Sequence, residues 1–437
     1  MRVLSCDTRV LGVKMFILEY KVKPAKVQIQ AIEEAIRTTQ FVRNKVLRYW
    51  MDNRGVGKTE LFRYNTQLRE EFDFVKALNS HACQTAVERV LRAINRFYDN
   101  CPPLTSPPVG GKRGGGKKGY PKFSKTTRSV EYKVSGWKLS ECKKYINFTD
   151  KKHIGRLKLI GSRDLNFFSP EQIKRVRIVR KADGYYVQFC INLDPRVTIK
   201  PLTPSQKAVG IDVGLKVFLA DSQGNTVPIP QFHRKSEKQL NRLNRKKSKK
   251  FRKGQPQGAL SDARETRARV APQSQNYRKA RSRYARKHLR VSRQREEFAK
   301  RVALRYVQSN DCIAYEDLNV KGLVKNWHLS KSISDAGWST FRQWLEYFAD
   351  KYGKIAIAVP PYNTSQNCSN CGEKVQKGLS TRTHVCPHCN YVEDRDVNAS
   401  INILQLGLST VGRTGTNMLG EFGSLAELDE SCSVKSG

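Results

Sequence analysis

The spacing of apolar residues changes several times along this chain, and each change marks an element. Residues 15–23, MFILEYKVK, read as a strand that Pro24 ends. From Val27 onward Ile29, Ile32, Ile36, Val46 and Tyr49 fall at helical intervals. A second helix is expected over 80–98, with Ala86, Val90, Leu91, Ile94 and Phe97 on one face. Residues 101–119 are rich in Pro, Gly and Lys and cannot pack, so they form a linker, a hinge or a contact loop. Between 120 and 195 the period shortens to that of strands. There IKRVRIVR and YYVQFCI flank an Ala182-Asp183-Gly184 turn as a β-hairpin. Pro201 and Pro204 mark a linker. A new domain begins at 208–225, AVGIDVGLKVFLADSQGN, as a buried strand carrying one acid, a Gly turn and a second strand. Two long helices are predicted within 234–307 around a loop near Gly254–Gly258. A buried strand at 312–318, a helix at 337–352, the strand KIAIAVP and a helix opening at VNASINILQLG follow. Residues 412–437 read as a disordered tail, and 1–14 as a dispensable leader.

Composition sharpens the picture. A chain of 437 residues accommodates two or three domains, and its formal net charge of +42 draws it to polyanions. The segment 234–307 alone holds about twenty-five Lys and Arg against about five acids, a surface facing phosphate. On the hairpin, Lys174, Arg175, Arg177 and Arg180 make one face basic, for phosphate contact or as a charged, solvated edge. A plain nucleic-acid packing protein fits the charge as well. Four of the eleven cysteines are paired in C-x-x-C units and the other seven are scattered, which is reduced usage and not a disulfide framework. No apolar run reaches the roughly 18 residues of a membrane span, so a soluble, cytoplasmic protein is expected.

The chemistry concentrates at 360–404. Cys368 and Cys371 form one pair and Cys386 and Cys389 another, in tight knuckles shaped by Asn370, Gly372, Pro387 and Asn390. Four thiolates on one Zn²⁺ make a closed, structural site. An acidic doublet, Asp394 and Asp396, then leads into the last helix. Asp394 suits the N-cap, which leaves Asp396 facing inward. Asp212 interrupts an apolar strand, where an acid is either a satisfied turn residue or a paired or metal-bound one. Glu316, or its neighbour Asp317, ends a second such strand. Strand ends alternating with helices can meet at one sheet edge, and three carboxylates together call for hard divalent cations, Mg²⁺ or Mn²⁺. Two such ions suffice for phosphodiester hydrolysis, so the residues describe a metal-dependent nuclease. The histidines show no ligand spacing, and His384 and His388 are expected on the knuckle surface.

In chain order GIDVGLK, YEDLNVKGL, SDAGWSTFRQWLEYFADKYG, PPYNTSQNCSNCG and DRDVNASINIL, with MFILEYKVKP and GYPKF before them, resemble the TnpB family. These are transposon-encoded, RNA-guided nucleases related to type V CRISPR effectors. The resemblance spans nearly the whole chain and implies an α/β multidomain fold. A wedge-type β-barrel would occupy 15–25 and 120–200, with a helical recognition insert at 26–119. A RuvC-type, RNase H-like nuclease domain would occupy 206–365 and 393–411, carrying the basic helical insert 234–307. A zinc ribbon would span 366–392. The catalytic, magnesium-binding acids of the family map onto Asp212, Glu316 and Asp396, and the zinc ligands onto Cys368, Cys371, Cys386 and Cys389.

The implied function is an RNA-guided, Mg²⁺-dependent DNA endonuclease. A guide RNA from the transposon end would select target double-stranded DNA beside a short flanking motif, in the prokaryotic cytosol at the nucleoid, with no membrane and no protein oligomer required. No residue carries over as reader of the flanking motif. Two competitors are a nuclease-inactive, RNA-guided DNA-binding repressor, against which the intact acids argue, and a transposase that joins DNA ends itself.

Overall fold

The computed structural model describes residues 15–53, 55–100, 119–161, 165–166, 168–192, 202–251, 273–378 and 381–414. The expected leader, the basic loop up to residue 118, the loop near Gly254–Gly258 and the tail beyond 414 lie outside the described residues. The chain divides into two units, residues 1–194 and 195–437.

In the first unit β1 (Met15–Val22) precedes four helices: α1 (Lys26–Asp52), α2 (Lys58–Glu71), α3 (Asp73–Lys76) and α4 (Ser80–Asp99). β2 (Ser129–Tyr132), β3 (Trp137–Leu139), β4 (Tyr145–Phe148), β5 (Gly155–Lys158), β6 (Ile173–Lys181) and β7 (Gly184–Asn192) follow. β1 runs antiparallel to β7 with Met15 opposite Asn192, giving the sheet order β1-β7-β6-β2. β3, β4 and β5 form a separate three-stranded sheet. Period-two alternation turns Val176 and Ile178 inward. They share one core with Ile32, Ile36 and Val46 of α1 and with Val90 and Ile94 of α4. The helices α2 and α3 were not legible in the sequence. In α2 only Leu61, Asn65 and Leu68 are buried, a stripe too thin to stand out among polar residues.

The basic hairpin face is corrected by the structure. Arg175 and Arg177 bond Glu131, which is 1% exposed, and Arg175 also reaches Glu88. Arg180 pairs with Glu33. These three cations are paired with carboxylates and are not held out for phosphate, whereas Lys174 is exposed.

The second unit is built on a five-stranded sheet in the order β10-β9-β8-β11-β12. β8 (Ala208–Asp212), β9 (Val217–Asp221) and β10 (Thr226–Pro228) form an antiparallel meander. Next come α5 (Phe232–Lys249) and α6 (Gln275–Ser309), then β11 (Cys312–Glu316), α7 (Val320–Leu323), α8 (Ser330–Ala336), α9 (Trp338–Tyr352) and β12 (Ile355–Val359). β11 pairs parallel with β8 on one side and β12 on the other. β13 (Thr383–Val385) and β14 (Val392–Asp394) form a small hairpin before α10 (Arg395–Thr414).

The sheet carries helices on both faces. Phe218 meets Phe298 of α6 and Phe341 of α9 edge-on, with ring centroids 4.9 and 5.3 Å away. α10 covers the other face. A Cβ at Gly210 would stand 1.9 Å from the Ser400 carbonyl, and one at Gly407 would stand 2.6 Å from Ala314 Cβ. Glycine at these two places lets the helix lie directly on β8 and β11. The start of α5 is capped from α8, where the buried Asp335 accepts the amides of His233 and Arg234 at 2.9 and 3.2 Å.

Candidate functional site

Strand pleating decides where the candidate acids go. Gly210 and Ala314 are paired across β8 and β11 and both touch α10. Residues two further along share that face. Asp212 and Glu316 therefore lie on the α10 side, at the end of the two parallel strands. α10 begins there, and Asp396 sits in its first turn. The structure thus brings Asp212, Glu316 and Asp396 to one edge from strands and a helix far apart in sequence.

Their electrostatics record the proximity. Desolvation pushes the Asp212 carboxyl up to about 8, with Glu316 and then Asp396 adding to the shift against Arg395. Burial also raises Glu316, opposed by the Thr364 hydroxyl, which donates to its Oε1 at 2.5 Å. Asp396 lies 3.7 Å from Arg382. Asp317 turns away into a pair with Arg342, so Glu316 is the inward acid of the two. Asp394 accepts the amides of Asp396 and Val397 at 2.8 and 3.4 Å, the capping role expected of it. Carboxylates are the donor type that a hard divalent cation takes, although the oxygens of these three do not all lie within 4.8 Å of one another and arginines stand beside them.

The four cysteines converge as their spacing predicts. Among the described residues they are the one group of metal-ligating side chains whose donor atoms all lie within 4.8 Å of one another. Cys368 to Cys389 and Cys371 to Cys386 measure 3.6 Å between sulfurs. Zn–S bonds of about 2.3 Å in a tetrahedron would set sulfurs roughly 3.8 Å apart, so the donor set fits structural zinc. Both knuckles turn through a left-handed residue, Gly372 at φ 80° and Asn390 at φ 56°. His388 is exposed as expected, whereas His384 is fully buried and contacts Lys377. Its position on β13 points it into the ribbon, which overrides the expectation of a surface residue.

Two asparagines missed in the sequence couple the ribbon to the acids. Asn398 accepts from Ser369 N at 2.9 Å and donates to the Asn367 carbonyl at 2.8 Å. Asn402 donates to the carbonyls of Thr364 and Asn367, both at 2.8 Å. They lie four residues apart on one helix face, which is the signal that could have found them. The knuckle and the Glu316-bonded Thr364 are thereby fastened to α10.

A second place lies in the first unit. A cleft of about 460 Å³ is lined along α1 by Arg37, Gln40, Phe41, Lys45 and Arg48, with Phe123 opposite. Its wall is fixed by Gln40 and Asn44, which accept the amides of Thr127 and Ser124 at 2.9 and 2.8 Å. Cations interleaved with aromatic rings suit nucleic acid.

Comparison with known proteins gives two family matches. Residues 338–403 match the "Cas12f1-like, TNB domain", and residues 188–327 match a family described as "Probable transposase". A protein of Streptomyces pristinaespiralis named "Putative RNA-guided DNA endonuclease" is 27% identical over 405 residues, covering 90% of this chain and 89% of its own. An Escherichia coli K12 protein, "Putative RNA-guided DNA endonuclease InsQ", is 26% identical over 251 residues, covering 54% and 57%. The mimivirus "TnpB-like protein L79" is 32% identical over 127 residues, 28% of this chain and 24% of its own. Among solved structures, a Cas12f1–sgRNA–target DNA complex aligns over 86% of this chain and 81% of its own, with TM-score 0.45 and 16% identity.

Proposed function

We propose that this chain, which belongs to the TnpB-like family, is an RNA-guided DNA endonuclease that cuts at the edge formed by Asp212, Glu316 and Asp396. The single observation carrying the reading is the convergence of three carboxylates from β8, β11 and α10 at one edge, where burial first, and then the charges of Glu316 and Asp396, hold Asp212 up at about 8. The mixed sheet, antiparallel then parallel, with helices on both faces, supports an RNase H-like nuclease core of RuvC type. The first unit then serves as the wedge-type β-barrel with its helical recognition insert, and residues 366–392 as the zinc ribbon.

Mg²⁺ or Mn²⁺ bound among the acids would neutralise their charge and activate water for phosphodiester hydrolysis. The side chains do the positioning. Asp212 feels the charges of both Glu316 and Asp396, and Thr364 fixes one oxygen of Glu316. Asp396 is held at the N-terminus of α10, where the helix dipole favours an anion. Arg382 and Arg395 lie beside the acids and would meet the phosphates of a bound strand. The exposed Arg278, Lys279, Arg281, Arg283, Arg286 and Arg290 of α6 would hold guide RNA. Base pairing would select the double-stranded target and the protein would read only a short flanking motif. Among the described residues no helix is long and apolar enough to cross a membrane. A cytosolic, nucleoid-associated enzyme accords with that.

The test is to sequence the RNA that co-purifies with the protein and to assay cutting of matching duplexes. One defined RNA, with metal-dependent cutting that falls at least about a thousandfold in each of Asp212→Ala, Glu316→Ala and Asp396→Ala, is the expected result. Guided binding without cutting would make the protein a repressor. Heterogeneous RNA and no guided activity would leave only a polyanion-binding surface.

A further inference from the structure

Beyond β12 the chain reads Pro360, Pro361, Tyr362, Asn363, Thr364. Val359 pairs with Glu316 across the sheet, and Thr364 bonds the Glu316 carboxylate. Tyr362 thus lies between two residues that both meet the candidate catalytic strand end. Its side chain is 81% exposed, and among the described residues its ring stacks on nothing. One exposed ring is ordinary on a protein surface. This one is displayed on a stiff segment. Two prolines fix φ before it, and Asn363 after it is left-handed at φ 58°. The Asn363 carbonyl accepts the amides of Gln366 and Asn367 at 2.8 and 2.9 Å. Thr364 is buried, with its carbonyl bonded by Asn402.

The segment leaving β11 offers a second ring. Trp327, eleven residues after Glu316, is 77% exposed and lies with its centroid 3.6 Å from that of His328. Lys321 and Lys325 on the same segment are exposed. Open aromatic faces among cations are what single-stranded nucleic acid recognises, because an unpaired base presents a face that a paired and stacked base does not.

We propose that Tyr362 is a stacking platform that holds single-stranded DNA in line with the carboxylate edge. Tyr362 is a positioning residue that touches a substrate base and no reacting atom. The inference rests on the endonuclease reading for its purpose, but its physical content can be measured separately.

The first measurement uses the full chain carrying Asp212→Ala and a single-stranded oligonucleotide containing 2-aminopurine, whose fluorescence falls on stacking. Salt is raised until non-specific phosphate contacts are weak. Quenching is expected. Adding Tyr362→Ala should remove most of it and weaken binding about tenfold, whereas Tyr362→Phe, which keeps the ring, should match the parent. The second measurement, without the Asp212 change, is single-turnover cutting of a guide-matched duplex. Tyr362→Ala should slow cutting about tenfold with target binding and melting temperature unchanged, and Tyr362→Phe should restore the rate. Guided cutting by the parent with no response of quenching or rate to Tyr362→Ala overturns the platform and leaves the endonuclease reading standing. Tyr362-dependent quenching by a chain that never cuts upholds the platform and overturns that reading.

Discussion

Glu131 of β2 is surrounded by Arg177, Arg175 and Arg89 at 2.7, 2.9 and 3.3 Å. Burial alone would raise its carboxyl. The charges of Arg177 and Arg89, with hydrogen bonds from Arg175 and Arg177, reverse the sign and hold it at about 2 against an ordinary 4.5. A folded-state value below the unfolded one means stability that is complete above pH 4.5 and is lost as pH falls toward 2. A shift of that size corresponds to about 3 kcal/mol. Glu131→Gln should therefore lower the unfolding free energy near neutral pH by about 3 kcal/mol, leaving three arginines without their shared anion. Denaturant melts should also show a flatter loss of stability between those two pH values than the parent. The sequence could not show this. The arginines of β6 read as an outward basic face because Glu131 lies more than forty residues away, and Arg89 and Glu88 lie on a helix further still. Glu316 against Asp317 was undecidable for the same reason, since Thr364 and Arg342 sort them only in three dimensions.

At the scale of elements, α10 is the piece on which the carboxylate edge depends. Its contact with β8 tolerates no side chain at residue 210, because the obstructing atoms are the Ser400 carbonyl and the Leu404 amide, at 1.9 and 2.8 Å. Backbone cannot swing aside as a long side chain would, so Gly210→Ala must displace the helix and carry Asp396 with it. Misplacement of a catalytic group by about 1 Å can cost a hundredfold in rate, with 1–3 kcal/mol of overpacking besides. The expected outcome is guided cutting reduced about a hundredfold and a lowered melting temperature, with RNA binding retained. Equal cutting by the variant would contradict the packing. Much of this unit was legible: strand-acid-glycine-strand at 208–225, the cysteine spacing and the acidic start of the last helix are local signals. What was not legible is why Gly210, Asn398 and Asn402 are those residues, because each answers to a neighbour on another element.

For the whole molecule the net charge of +42 decides how partners are met. Internal pairing consumes Arg175, Arg177 and Arg180, but the exposed rows on α5 and α6 remain. Contacts to phosphate release counterions. Binding of the co-purifying RNA should weaken by about a thousandfold or more between roughly 50 and 200 mM salt if six or more phosphates are held. An affinity that ignored salt would mean that this surface is not the one used. The order in which the chain supplies its acids has a consequence for synthesis. A ribosome has already made all three parallel strands and both cysteine knuckles while the carboxylate of residue 396 is still unwritten. A nascent chain, or one stopped early by a nonsense codon, can carry the basic helices and hold nucleic acid, yet it has only two of three acids. On the proposed reading, incomplete copies would compete for RNA without cutting DNA, and cutting would wait until the last helix has closed on the sheet.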